Sequence, residues 1–249
     1  MTTEGPDVAR MIRVPALIAL AITLVRLIGE LAGGPEALFN RAAGGGGALI
    51  GIAWLVPIFG AWFGVKLVQA GHAPASAGRV VAFVFLGLVV AFAIIFGAIA
   101  LTGDPNVPGD VSLTGVFAQQ LGFTVATVAA LFVVWRTWPA FFKVLFAYAL
   151  ASRIPVVVVM LVAMSAGWGT HYELGPPGYP EMGVAVKWVT TGLFPQMTSW
   201  VAYTVLLGGL FAGSPRPWCV PRRRRRTRSE RREPALVVGG VPSSCSLIG

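Results

Sequence analysis

Charge is scarce in this chain. Only 12% of its 249 residues are Asp, Glu, Lys or Arg, whereas soluble domains carry about 25%. A water-facing surface of ordinary composition cannot be built from so few charges. Cysteine is nearly missing too. Cys219 and Cys245 are the two present, and neither has a partner at metal-ligand spacing. Both fall in a segment placed below in the cytoplasm, where thiols stay reduced. That argues against a disulfide scaffold. The two histidines, His72 and His171, are expected on opposite sides of a membrane, and no HExxH is present, so a zincin-type protease is not indicated. The glycine run at 44–47 lacks the Lys-Ser/Thr of a phosphate loop. Ser165 and His171 lack a nucleophile elbow and a matched acid. No catalytic residue, metal site or cofactor is implied.

Apolar length is what the chain has in abundance. Hydrophobic residues make up 56% of it, and the mean hydropathy is +0.76. A membrane span needs roughly 20 apolar residues in a row. Such stretches run near 14–33, 48–69, 80–102, 114–135, 143–166 and 186–212. Each is expected to be a helix, because hydrocarbon offers the backbone no hydrogen-bond partner. Alternation of apolar and polar residues is too weak for a β-barrel. The fold class expected is all-α: a bundle of about six transmembrane helices, followed by a disordered basic C-terminal tail. A basic start and an apolar run could also make a signal peptide. Arg26 interrupts the apolar region and the cleavage site is poor, so an uncleaved first helix is expected.

The connections alternate in charge. Arg10 and Arg13 precede the first span. Lys66 and Arg79 flank the second connection, and Arg136 and Lys143 flank the fourth. The third connection holds Asp104 and Asp110 with no base, and the fifth holds Glu173 and Glu181 with Lys187 at its far end. Glu36 and Arg41 share the first. Lysine and arginine collect on the cytoplasmic side, so both termini are expected there, in a plasma membrane, with a bacterial source. The chain divides near residue 213. Residues 1–213 carry ten basic and eight acidic side chains and form the expected transmembrane domain. Residues 214–249 carry nine arginines against two glutamates, with much Pro, Gly and Ser, a composition of disorder. The bilayer is the partner expected of the whole chain. The run Arg222 to Arg226 suits anionic lipid head groups; nucleic acid is disfavoured, and a solvated stop after the last helix is the plainer account.

Polar residues at bilayer depth carry the functional argument, since an ionised side chain there costs about 3 kcal/mol by insertion scales. Arg26 and Glu30 stand at i, i+4 in the first span and can pair. Arg153 lies near the middle of the fifth. Arg26 and Arg153 each sit about twelve residues from the cytoplasmic start, roughly 18 Å at 1.5 Å per residue, so the three can meet if helices one and five touch. Gln196 follows Pro195 in the sixth span. Proline frees a carbonyl one turn earlier, and Pro57 and Pro155 are expected to do the same. Gln119 and Gln120 could extend the polar path. Arg26, Glu30, Arg153 and Gln196 are thus the candidate substrate-binding residues of a small permease or transport-associated membrane subunit for an anionic solute. The alternative is a non-transporting scaffold or assembly factor, in which the ion pair only pins helices together. In the fifth connection, His171, Glu173 and Glu181 offer half a metal site, and a rigid outer cap fits them better. Trp168, Tyr172, Tyr179 and Trp188 are expected at interface height. The GxxxG spacings Gly47…Gly51, Gly60…Gly64 and Gly209…Gly213 suggest close helix packing.

Overall fold

A computed structural model describes residues 5–43 and 48–213. The Arg222–Arg226 run, both cysteines and the rest of 214–249 lie outside the described residues, as does Gly47. Within them the protein is helical, with no strand. Helix α1 runs Val8–Leu31, α2 Leu55–Gln69, α3 Ala77–Thr102, α4 Leu113–Thr137 and α5 Pro139–Ala166. With the 3-10 turn Ile52–Trp54 in front of α2, these are five helices long and apolar enough to cross a membrane. The sixth apolar stretch is broken. It comprises α6 (Val184–Lys187), a π turn (Trp188–Leu193), α7 (Phe194–Met197) and α8 (Ser199–Ala212).

Local chemistry sets the ends. Asp7 caps α1 by accepting from the Arg10 amide at 3.1 Å, so that helix starts ahead of the expected residue 14. Ser76 and Ser112 cap α3 and α4 in the same way. Trp138 alone separates α4 from α5, with an extended φ of −150°. Pro139 then opens α5 at a position where its missing N–H costs nothing. Gly167 ends α5 in the left-handed conformation at φ 63°. Residues 48–51 are not helical, contrary to the span expected from 48. Pro57 consequently falls in the first turn of α2 and frees no carbonyl in mid-membrane. Pro195 behaves differently. It cannot donate to the carbonyl of Thr191, and the π turn precedes it. Thr198, at φ −109° and ψ −85°, leaves the helical region altogether.

Apolar and polar residues are distributed inside out. Phe85, Phe92, Phe96 and Leu101 of α3 and Leu121, Val128 and Phe132 of α4 are exposed, whereas Arg26, Glu30, Gln119, Arg153 and Thr204 are buried. In water each exposed aromatic or aliphatic side chain would forgo about 1.5–3 kcal/mol; in hydrocarbon it forgoes nothing. The protein is therefore read as a membrane protein.

Helix α8 is the hub, packing on α2, α3, α4 and α5, while α1 lies against α5. Small residues make this possible. A Cβ on Gly60 would stand 2.5 Å from the Gly208 Cα, and one on Gly64 would stand 2.9 Å from the Ala212 Cβ. Gly209 and Gly213 give room to Val84 and Val81 of α3. The Gly60…Gly64 and Gly209…Gly213 spacings thus serve contacts inside one chain. Connections sort to two ends. The Val111 amide donates to the Gly178 carbonyl at 3.1 Å, and the Gly178 amide to the Pro105 carbonyl at 2.8 Å, joining the third and fifth connections. At the other end Trp138 Nε1 donates to the His72 carbonyl at 2.7 Å.

The α2–α8 seam gives a direct test. Gly60→Ala should lower stability by about 1–3 kcal/mol, the usual cost of overpacking. Gly97→Ala, where a Cβ meets nothing within 4 Å, should leave the melting temperature in detergent unchanged or slightly raised. Equal losses in the two variants would show that the seam is not close-packed.

Candidate functional site

Two polar groups face one cavity. The first belongs to α1. Arg26 Nε donates to Glu30 Oε1 at 2.9 Å, the i, i+4 pair expected of the sequence. Arg26 Nη2 also donates to the Asn40 carbonyl at 3.0 Å. The Arg41 guanidinium donates to the backbone carbonyl of Glu30. The other partner of the carboxylate comes from the fifth connection. The His171 amide donates to Glu30 Oε2 at 2.9 Å, and His171 Nδ1 stands 2.5 Å from Oε1. Glu30 is thereby fully occupied, and it ties α1 to two connections.

Burial holds the His171 imidazole below its ordinary pKa. The Glu30 carboxylate pulls the other way, and the charge of Arg26 adds to the depression. Burial favours the neutral ring, and a neutral ring can donate its Nδ1–H to the carboxylate in a charge-assisted hydrogen bond.

The second group contains Arg153, 4% exposed at the middle of α5. It does not meet Glu30. Its Nη1 donates to Gln196 Oε1 at a long 3.3 Å, and its guanidinium carbon lies 4.5 Å from the centre of the Trp200 ring, within cation–π range. Its Nε has no hydrogen-bond partner. Among the described residues no carboxylate lies within 4 Å of it. Arg26 is balanced by Glu30 and Arg41 is exposed, so Arg153 is the buried arginine of the two groups that has no carboxylate partner among the described residues.

A cavity of about 280 Å³ separates the groups and is lined by Arg26, His171, Tyr172, Arg153, Gln196 and Trp200. A second, of about 450 Å³, adjoins it through His171, Tyr172, Val156, Gln196 and Trp200, and continues to Gln120, Asn106 and Tyr179 beside the third connection. All four candidate residues thus belong to one region: Arg26 paired with Glu30, Arg153 bonded to Gln196. The break in the sixth stretch places Gln196 and Trp200 on either side of Thr198, both against the cavity. The oxygen Gln120 Oε1 is also without a partner. Gln119, by contrast, is consumed by the fold. It donates to Thr102 Oγ1 and the Gly103 carbonyl and accepts from the Tyr179 hydroxyl, at 2.8–2.9 Å.

Comparison with protein-family models, curated proteins and solved structures finds no match. The geometry alone carries the functional reading.

The fifth connection folds back onto the helices. Tyr172 is buried, the Tyr179 hydroxyl donates to Gln119 and Trp188 Nε1 donates to the Val157 carbonyl at 3.0 Å, so these three side chains bond into the protein, while Trp168 stays exposed. Glu173 accepts from the Thr170 amide at 2.6 Å and serves the turn at 171–173. Among the described residues no three His, Cys, Asp or Glu side chains converge on a metal position. His171 is the site residue missed in the substrate set. Its place against Glu30 depends on how the loop folds back, and sequence offered only its rarity.

Because His171 has a lowered pKa, its protonation favours the unfolded state. The stability it permits is complete above the unfolded value near 6.5 and is lost as pH falls below it toward the folded value, by at most about 1.4 kcal/mol per pH unit. The melting temperature should fall between pH 7.5 and 5.5, and His171→Asn, which keeps a donor for Glu30, should flatten that segment. An unchanged profile in the variant would place the acid sensitivity elsewhere. A double-mutant cycle tests the separation of the two groups. The stability changes in Glu30→Gln and Arg153→Met, whatever the sign of each, should add within about 0.5 kcal/mol; a double mutant more stable than that sum would mean that the residues do meet.

Proposed function

We propose that the protein is a small six-span permease, or a transport-associated membrane subunit, that admits an anionic group to Arg153. The observation that carries this reading is the uncompensated guanidinium beside open space. A buried charge without a counterion costs several kcal/mol, and a fold that needed only a helix pin would have satisfied it. In this reading Arg153 supplies the charge, Trp200 orients it, and Gln196 offers its amide to the same ligand. Arg26, held by Glu30, borders the space without being free to leave its partner. The broken sixth stretch is the crossing that shapes the site, as discontinuous helices do at other membrane binding sites. In this reading the protein sits in a bacterial plasma membrane with both termini in the cytoplasm and the cavity toward the outer side; the charge bias of the connections supports that orientation. Residues 214–249 follow as a basic cytoplasmic tail.

The scaffold reading has its own observation. The Glu30 network joins α1 to the connections at 32–51 and 167–183 and looks purely architectural. The two readings differ at Arg153. In proteoliposomes, efflux of inorganic phosphate or of a small carboxylate should fall at least tenfold in Arg153→Met while the melting temperature stays within a few degrees. Flux absent from the native protein, or unaffected by the substitution, would leave the scaffold. The topology is tested separately. In a background lacking Cys219 and Cys245, cysteines at exposed positions Asn106 and Glu181 should react with an impermeant thiol reagent in intact cells, and one at Ala75 should not. The reverse pattern would invert the orientation.

A further inference from the structure

The Arg153 region does not end at its polar lining. A cleft of about 340 Å³ opens between α3, α4 and α8. It shares Ile95, Ser199 and Trp200 with the larger polar cavity. Its own lining is apolar, with Leu88, Ala91 and Phe92 on α3, Ala126 on α4 and Leu206 on α8. The hydroxyl groups of Thr127, Ser199 and Tyr203 are the exceptions. Phe92 and Tyr203 are exposed, so the cleft opens sideways, toward the position of the lipid tails. Trp200 stands at the junction. One neighbour of its ring is the Arg153 guanidinium, and the apolar cleft is another.

A site for a small, freely soluble anion gains nothing from such an annex. A site for an amphiphile needs both parts: a positive charge with spare donors for the head, and an apolar slot, continuous with it, for the tail. Building on the anion-binding reading above, we infer that the ligand is a single-chain amphiphile, with an anionic phosphate or carboxylate head at Arg153 and Gln196 and its alkyl chain in the α3–α4–α8 cleft. The volume argues for one chain, because 340 Å³ is at the small end of the roughly 300–1,000 Å³ typical of ligand sites. Charge complementarity fixes the sign of the head, since Arg153 Nε is buried and without a partner. The lateral opening lets the chain enter from the bilayer without leaving hydrocarbon. Trp200 divides the two chemistries, with an aromatic face for the guanidinium and an apolar edge for the first methylenes.

The test compares heads and tails on the full-length protein in nanodiscs, using radiolabelled inorganic phosphate, butyl phosphate and dodecyl phosphate. Affinity, referred to the ligand concentration in the lipid phase, should rise with chain length until the cleft is filled and then level off. Arg153→Met should weaken both phosphate and dodecyl phosphate at least tenfold. Ala91→Phe, which fills the cleft, should weaken dodecyl phosphate at least tenfold and leave inorganic phosphate within twofold; that retained binding also reports that the variant is folded, and Ala91→Val provides a milder block where phenylalanine is not tolerated. If phosphate binds through Arg153 but chain length and Ala91 substitutions change nothing, the amphiphile inference is wrong and the anion site stands. If no binding depends on Arg153, both fail together. Dodecanol binding as tightly as dodecyl phosphate would reduce the cleft to a lipid contact and overturn the inference. Phosphatidate binding tenfold tighter than dodecyl phosphate would overturn the single chain.

Discussion

Inside a bilayer no water is available to satisfy a polar atom, and that constraint governs this protein. Its hydroxyls show how closely the constraint is obeyed. Thr23, Thr102, Thr124, Thr137, Thr190, Thr191, Thr198 and Thr204 each donate to the carbonyl four residues earlier in their own helix. Glu30 receives donors on both oxygens. Gln119 is bonded at both ends of its amide. Against that background the exceptions are informative. Among the described residues four side-chain atoms are buried without partners. Arg153 Nε, Gln120 Oε1 and Thr127 Oγ1 belong to residues that line the small cavity, the large cavity and the lateral cleft in turn, whereas Thr170 Oγ1, in the fifth connection, borders none of these. Three of the four thus lie where there is room for a ligand.

The same constraint explains the architecture. With every backbone bond made within a helix, helices associate through shape rather than through hydrophobic contrast. Helix α8 can be a hub because Gly208 and Gly209 let α2 and α3 approach it on two faces. A hub helix must also be continuous enough to pack, yet it has to deliver Gln196 and Trp200 to the cavity. The sixth stretch meets both demands by concentrating its irregularity in 188–198 and leaving 199–212 regular. The Glu30 network fixes α1 and two loops, whereas Arg153 borders the cavity with no carboxylate within 4 Å among the described residues.

Much of the fold was legible in the sequence, and the site only in part. Hydropathy located the five long helices because transfer free energy is a property of composition. Charge alternation foretold that the third and fifth connections share an end, which the Gly178 contacts show. The Arg26–Glu30 pair was readable because i, i+4 spacing is local. The break at Thr198 was not, since 186–212 remains apolar whether or not its helix is continuous. Pro195 marked the place without saying that a π turn would absorb the lost donor. The bond from Arg153 to Gln196 spans 43 residues and that from His171 to Glu30 spans 141. Such pairings depend on which helices pack together, and a single sequence does not encode that in any local pattern. Shared depth suggested that Glu30 would neutralise Arg153; the loop carrying His171 took that place instead.

In the proposed function Arg153 is a buried cation kept without a counterion for an incoming anion. Anomalous diffraction from crystals soaked in bromide tests this. A bromide peak is expected within hydrogen-bonding reach of the Arg153 guanidinium, inside the cavity bounded by Gln196 and Trp200, and its loss is expected in Arg153→Met. A cavity empty of bromide, with a protein carboxylate closed onto Arg153, would contradict it.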